Sequence, residues 1–453
     1  MGKIQGSPVK ESAILTSPDG LLAFENERMP GIKQEQEIEI MAPVGSYESL
    51  MAAIQAGAGS VYFGVEHLNM RARSAANFSL TDLKNIASTA SRHGVKSYLT
   101  LNTEVFDNET RLMHQVLEAA KEAGITAVIA ADISVILHAR SIGLEVHIST
   151  QVNITNFVAV RFYAQFADVV VLARETNLGR VHEISDKIRE HQVKGPSGNL
   201  IRLEMFVHGA LCMAVSGKCY LSLHEMNSSA NRGNCLQTCR RAYSITDRET
   251  GAELEIDNAY IMSPKALKTI HFLNKILDAG VTVLKIEGRA RAPEYVKTTV
   301  ECYREAVDAW KTGTFTDEKV KEWDTRLASV FNRGFWNGYY LGQRLGEWSH
   351  NYGSLATRRK VYLGKATNYF PRIGVAEFRI ESGMLQAGDE VLITGPTTGV
   401  VETTAMEIRI AEGPVMEAGR GTHVSIAVPV KIRRNDKIFR WADAKTLKEN
   451  VRK

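Results

Sequence analysis

Four of the chain's five cysteines, Cys212, Cys219, Cys235 and Cys239, fall within one stretch of 28 residues. Their spacing, C-x6-C-x15-C-x3-C, supplies enough thiolates on one loop to hold a four-iron cluster. Structural zinc is the main rival, but it favours two tight C-x2–4-C pairs, and only the second pair here is that close. Disulfides are a weaker rival. The N-terminus does not resemble a secretory signal, so the thiols are expected in a reducing compartment, the cytoplasm. The fifth cysteine, Cys302, lies in the helical run PEYVKTTVECYREAVDAW and reads as a small core hydrophobe.

The elements that must position this loop follow from a rhythm that begins near Ile38. Short apolar runs alternate with amphipathic helical stretches: IEIMAP, SVYFG, KSYLTLN, AVIAAD, EVHISTQ, VVVLARE, LEMFVHG and VLKIEG. Eight β–α units within about 250 residues predict a (β/α)8 TIM-type barrel over residues 37–327, with the cysteine loop directly after strand seven. A doubly wound open sheet is the alternative, but no Gly-rich phosphate fingerprint follows the first strand. Helix seven is expected to start at Ser263 as N-cap with Pro264 in its first turn, to carry Leu267, Ile270, Leu273 and Leu277 on one face, and to stop at Gly280. Residues 1–36 lack periodicity and read as a flexible extension. Residues 328–356, rich in Gly, Asn and aromatics, read as a linker. Residues 357–453 hold short, alternating, β-branched runs and predict a small all-β barrel with a basic tail.

In such a barrel alternate strand residues point inward, and the active site gathers at the carboxyl ends of the strands. Reading with period two puts unusual residues on the inner face. Strand three offers Tyr98, Thr100 and Asn102, and strand five His147, Ser149, Gln151 and Asn153. Strand seven offers Glu204, Phe206 and His208, strand eight Lys285, Glu287 and Arg289, and Arg174 ends strand six. A packed barrel core normally takes Val, Ile and Leu, so this set predicts a polar, substrate-holding lumen, or a network in which pairs such as Glu204 with Lys285 satisfy each other. His208, Glu287, Gln151 and Asn153 are the candidate catalytic residues. Arg174, Lys285, Arg289 and Arg291 are the candidate substrate-binding residues, because arginine's planar fork suits a carboxylate, a phosphate or an RNA backbone.

The segment Glu204-x-Phe206-x-x-Gly209-Ala210-Leu211-Cys212, followed by Gly217-x-Cys219-x-Leu221-Ser222, resembles the nineteen-residue signature of the collagenase-like peptidases, family thirty-two of the unclassified peptidases. Within that family the chain most resembles the tRNA hydroxylation proteins, and the likeness runs from about Glu39 to at least Gly342. The resemblance implies a [4Fe-4S] cluster on Cys212, Cys219, Cys235 and Cys239. It also implies oxygen-independent hydroxylation of the wobble uridine of tRNA to 5-hydroxyuridine, with prephenate as co-substrate. Prephenate is a dicarboxylate, so the basic residues suit it. A partner subunit or a second homologous protein is compatible with this picture. The family commonly has S-P-K-D-L where this chain has Ser263-Pro264-Lys265-Ala266-Leu267. As a peptidase the chain would need a thiolate beside a histidine, and Cys212 with His208 is the pair to consider. No G-x-S-x-G or H-E-x-x-H motif is present. The remaining readings are a hydroxylation factor for ribosomal RNA or quinone, and an RNA-binding scaffold with a structural cluster.

Composition narrows the class without choosing among these. The 453 residues are 44% hydrophobic and 23% charged, with a net charge of +4. That charge is too small for a dedicated nucleic-acid coat but leaves room for a local basic patch, and no apolar run approaches the roughly 20 residues needed to cross a bilayer. One such patch is Lys431–Lys453, with nine Lys or Arg against three Asp or Glu.

Overall fold

The computed structural model describes residues 37–72, 77–244, 249, 260–343, 346–351 and 353–446. The expected N-terminal extension and the end of the basic tail, residues 447–453, lie outside the described residues.

The apolar runs become eight parallel strands: Glu39–Pro43, Ser60–Phe63, Lys96–Leu101, Ala127–Ala130, Glu145–Ile148, Val169–Val171, Arg202–Gly209 and Val283–Ile286. Each pairs with the next, and the eighth pairs with both the seventh and the first, through Glu39 opposite Val283 and Met41 opposite Lys285. The sheet therefore closes, and the open doubly wound alternative is excluded. Helices cover the outside. Several start on the side chain the sequence supplies: Ser46 accepts from Ser49 N–H at 3.2 Å, Asp132 from Ser134 N–H at 2.8 Å, and Asn177 from Arg180 N–H at 3.0 Å. The outward residues, such as Leu99, Val128, Val146 and Leu284, pack against these helices in one large core. Inside, a smaller cluster of Met41, Tyr62, Tyr98, Ile129, Val169 and Val283 shares the lumen with charged groups.

Helix seven differs from its expectation. Ala266–Lys268 is a short strand, antiparallel to His208–Gly209 and parallel to Phe335–Trp336, and the helix spans only Leu273–Asp278. Tertiary pairing overrides the local cap signal. The Ala266 N–H donates to Gly334 O at 2.8 Å and Lys265 N–H to Glu347 O at 3.0 Å, which leaves the Ser-Pro pair no helix to start. The segment read as a linker thus contributes a strand to the sheet of the barrel.

The C-terminal module is all-β, as expected. Eight antiparallel strands run in the order Gly399–Thr404, Glu390–Gly395, Lys437–Asp443, Arg358–Phe370, Val375–Ile380, His423–Ala427, Ile408–Ile410, Gly413–Val415, and the two end strands do not pair with each other. A two-stranded ladder, Met384–Gln386 with Glu417–Gly419, packs on the same core around Leu363, Phe378, Ile393 and Ile438. The module docks on the first barrel helix, Tyr47–Gln55. There Ala52 is buried against Leu392 and Val400. Gln55 donates to Thr398 O at 2.9 Å and accepts from Val400 N–H at 3.1 Å. Among the described residues no helix is long and apolar enough to cross a membrane.

Candidate functional site

Two layers of charge fill the lumen. In the lower one, Glu39 accepts from Tyr98 OH at 2.7 Å, Arg202 at 2.9 Å and Lys96 at 3.2 Å. Burial pushes the Glu39 carboxyl up, but Arg202, Lys96 and His147 outweigh it and hold it at about 2. Above it, Lys285 donates to Glu204 at 2.6 Å, the pair anticipated from the sequence. His147 lies between Glu145 and Glu204; burial opposes its charge, and the two carboxylates prevail and raise its pKa. Opposite charges pair throughout this layer, although His147 Nδ1 and Glu204 Oε2, 3.8 Å apart, are buried without a hydrogen bond, so the lower half of the polar interior reads as structural.

The upper half is open. A cavity of about 170 Å³ lies at the carboxyl ends of the strands, the end where barrel enzymes keep their sites. Its wall includes Thr100, Asn102, Ser149 and Gln151, linked by Asn102 donating to Gln151 at 3.1 Å and to Ser149 at 3.4 Å. Six cationic side chains line it, those of Arg71, Arg174, Arg240, Lys285, Arg289 and Arg291, against one carboxylate, Glu287. Glu287 binds Arg71 at 3.0 Å and accepts from Ala210 N–H at 3.3 Å. Burial pushes its carboxyl up, while Arg71, Arg291 and Arg174 more than compensate and keep it ionised.

Arg289 is the least compensated of the cations. It is 6% exposed, donates to the neutral Thr100 hydroxyl at 2.9 Å, and is lowered to about 10, first by burial. Gly64 makes room for it, since a Cβ there would stand 2.4 Å from the Arg289 guanidinium. Arg174 lies over the Phe206 ring at 3.9 Å and donates to Ala210 O at 2.9 Å. Lys285 is lowered by burial despite Glu204. Arg291 is lowered by burial and lies over Phe331 at 3.5 Å.

The cysteine loop forms the roof. From Gly209 it runs through a short helix, Leu221–Met226, and two tight turns, Ala230–Arg232 and Thr238–Arg240. Arg232 ties it to Glu109 and the Glu104 carbonyl, and stacks on Phe106 at 3.8 Å. Arg240 ties its end to Leu211 O, Ser263 Oγ and Pro264 O. Gly217 lets the loop settle on the barrel, because a Cβ there would meet Gln151 at 2.8 Å and φ is +80°. Cys212, Cys219, Cys235 and Cys239 all face the cavity. Burial pushes the thiols of Cys219 and Cys239 up, and neighbouring cysteines add to it. Cys302 is fully buried in the helix Pro293–Lys311, far up at about 12 from burial, and does not line the cavity. Among the described residues no group of three or more His, Cys, Asp or Glu side chains is arranged to hold a metal ion.

Two of the sequence-predicted catalytic residues, Glu287 and Gln151, line the cavity, as do all four predicted basic residues and all four cysteines. His208 and Asn153 do not. A register shift between Phe206 and His208, where strand seven pairs with strand eight, breaks the period of two. His208 therefore turns out of the lumen, into a cage of Tyr295, Tyr303 and Phe335. It is 1% exposed there, and burial lowers it to about 3. Asn153 follows the turn Thr150–Val152 with a left-handed φ of 61°, its Oδ1 buried without a hydrogen-bond partner. The sequence reading missed Arg71, Arg240 and Tyr62. Arg71 stood in the loop after strand two, where a barrel places its site, and Arg240 adjoined the last cysteine.

Residues 45–350 match peptidase family U32. A protein named collagenase from Porphyromonas gingivalis is 60% identical over 89% of this chain and 98% of its own length. The tRNA hydroxylation protein P1 of Bacillus subtilis is 32% identical over 84% of this chain and 89% of its own. The 23S rRNA 5-hydroxycytidine C2501 synthase of Escherichia coli is 34% identical over 60% of this chain and 39% of its own. The signature on strand seven and the cysteine loop it leads into are thus those of peptidase family U32, to which this chain belongs.

Proposed function

We propose that this chain is an iron–sulfur enzyme that hydroxylates the wobble uridine of tRNA to 5-hydroxyuridine, with prephenate rather than dioxygen as its co-substrate. The observation that carries the reading is a single cavity walled by six cations, one carboxylate and four thiols. Such an excess of buried positive charge calls for anions, and a dicarboxylate with a thiolate-bound cluster would provide them. A relative named for tRNA hydroxylation matches along most of both chains, whereas the relative named for 23S rRNA is covered over only 39% of its length. That difference favours tRNA over ribosomal RNA.

The donor set is all sulfur. One zinc ion, with bonds of about 2.3 Å, draws four sulfurs into a single small tetrahedron, whereas a multi-iron cluster takes thiolates spread round a cavity, as they are here. Bound to the four cysteines, such a cluster would supply electron transfer, because every iron would be capped. The rest of the work falls to the chain's own groups. Arg289, with Arg174 beside it, would hold one carboxylate deep in the lumen, while Lys285 stays paired with Glu204. Glu287, held ionised by Arg71, fixes the Ala210 N–H at the mouth. A loop base needs no duplex opening to enter.

The name of the 60% identical relative favours a peptidase as a second reading. Against it, no histidine lines the cavity of the four cysteines, and His208 is buried elsewhere with a depressed pKa. Anaerobic purification decides the cofactor. Brown protein with iron and acid-labile sulfide, lost in Cys212→Ser, Cys219→Ser, Cys235→Ser or Cys239→Ser and kept in Cys302→Ser, is expected. Colourless protein with stoichiometric zinc would end the cluster reading. A deletion strain should lose 5-hydroxyuridine-derived nucleosides, wholly or in part if a second enzyme overlaps, and Arg289→Ala should not restore them. Full activity in cells unable to make prephenate would remove the co-substrate, and gelatin cleavage abolished by Cys212→Ala would restore the peptidase.

A further inference from the structure

Beside the main cavity lies a small recess lined by Ala266, Arg291, Phe331 and Arg333, with His208 and Tyr295 behind it. Arg291 and Arg333 share one aromatic ring, their guanidinium carbons 3.5 and 5.3 Å from the centroid of Phe331. Arg240 completes the group and donates only to neutral acceptors, Ser263 Oγ at 3.2 Å, Pro264 O at 3.1 Å and Leu211 O. Among the described residues none of the three forms an ion pair with a carboxylate; the nearest acid, Glu287, is engaged by Arg71.

We propose that Arg240, Arg291 and Arg333 form a phosphate seat at the rim of the cavity, which takes the RNA backbone beside the target nucleotide. This rests on the reading of the chain as an RNA hydroxylase. Three guanidinium groups that share one nearby carboxylate, Glu287, already paired with Arg71, are a concentration of positive charge that an arriving anion relieves. Their mutual presence is felt: Arg333 is lowered to about 10, first by burial and then by Arg240 and Arg291. Arg291 stacks on Phe331 and Arg333 lies within cation–π range of the same ring, and among the described residues neither guanidinium donates a hydrogen bond, so their N–H edges can meet a phosphodiester. The location fits as well. Arg291 and Arg240 also line the main cavity, so a base inserted there carries its flanking phosphates to this rim. The deeper arginines, Arg289 and Arg174, remain for the small dianion.

The test is binding of an anticodon stem-loop RNA to the full-length protein across a salt series, with Arg333→Gln and Arg333→Glu. Arg333 is partly exposed, so its loss should spare the fold, which the melting temperature checks. The second variant reverses the charge at the same partly exposed position and sets a carboxylate against Arg240 and Arg291. Each should weaken RNA binding roughly five- to tenfold and flatten the plot of log K against log salt by about 0.7, the release expected for one single-strand phosphate. Wild-type binding with both variants unchanged in affinity and slope would overturn the seat and leave the RNA reading intact. A raised KM for prephenate with RNA affinity unchanged would also overturn it, by giving the arginines to the small carboxylate. No RNA binding by the wild type would remove both.

Discussion

Within the lumen, the same residue types do two different jobs according to whether their partners are present. Glu39 pairs with Arg202 and Lys96, and Glu204 with Lys285, while Arg289 a layer higher donates only to a threonine hydroxyl. The first set should show in stability and its pH dependence, the second in binding. Glu39 gives the clearest sign. Its folded pKa of about 2 lies below the ordinary 4.5, so its ionised form favours folding. That contribution is complete above about pH 4.5 and fades as pH falls toward 2. Comparing denaturant unfolding of the wild type and Glu39→Gln, the variant should be less stable near neutrality by on the order of 3 kcal/mol. The gap should narrow steadily between about pH 4.5 and 2. A gap that stays constant over that window would mean packing, not charge, is what Glu39 supplies.

Among the elements, strand seven shows both what the sequence reveals and where it stops. Eight apolar runs, their helices and the place of the cysteine loop were legible, because burial on one face and period-two alternation are local signals. The inward set on strands three, five and eight was legible for the same reason: Thr100, Ser149, Gln151, Lys285, Glu287 and Arg289 all reach the cavity. His208 was misplaced because one register shift, invisible in a pattern of residue types, reverses every later side chain. The strand Ala266–Lys268 was read as helix because its pairing partners, Gly209 and Phe335, are remote in sequence. Arg71 and Arg240 sit on loops, where no periodicity says which way a side chain points. The shift at Val207 carries its own prediction. With His208 caged by Tyr295, Tyr303 and Phe335, His208→Phe should retain most of the proposed hydroxylation activity and change mainly the melting temperature, by a few degrees. Loss of activity at unchanged stability, measured on the same preparation, would bring His208 back into the chemistry.

For the whole molecule the issue is how a chain of net charge +4 would hold the polyanion proposed as its substrate. The proposed tRNA substrate would need a footprint wider than a cavity of about 170 Å³. The C-terminal module is the natural extension, since its strands Arg358–Phe370 and Lys437–Asp443 are neighbours in one sheet and bring several basic residues together. It is also firmly attached. Lys360 reaches Glu294 on the barrel at 2.9 Å, Gln55 clamps Thr398 and Val400, and Ala52 is buried against Leu392 and Val400. None of these contacts touches the cysteine loop. Truncation after Asn351 should therefore leave the cavity standing, with its iron and sulfide unchanged in protein purified without oxygen. It should at the same time lower tRNA affinity and flatten the dependence of binding on salt, because each lost phosphate contact removes its share of counterion release. Unchanged affinity and slope in the truncated protein would confine the RNA to the barrel rim. Loss of iron along with the module would show instead that the docked sheet supports the roof of the cavity, and that the two halves act as one body.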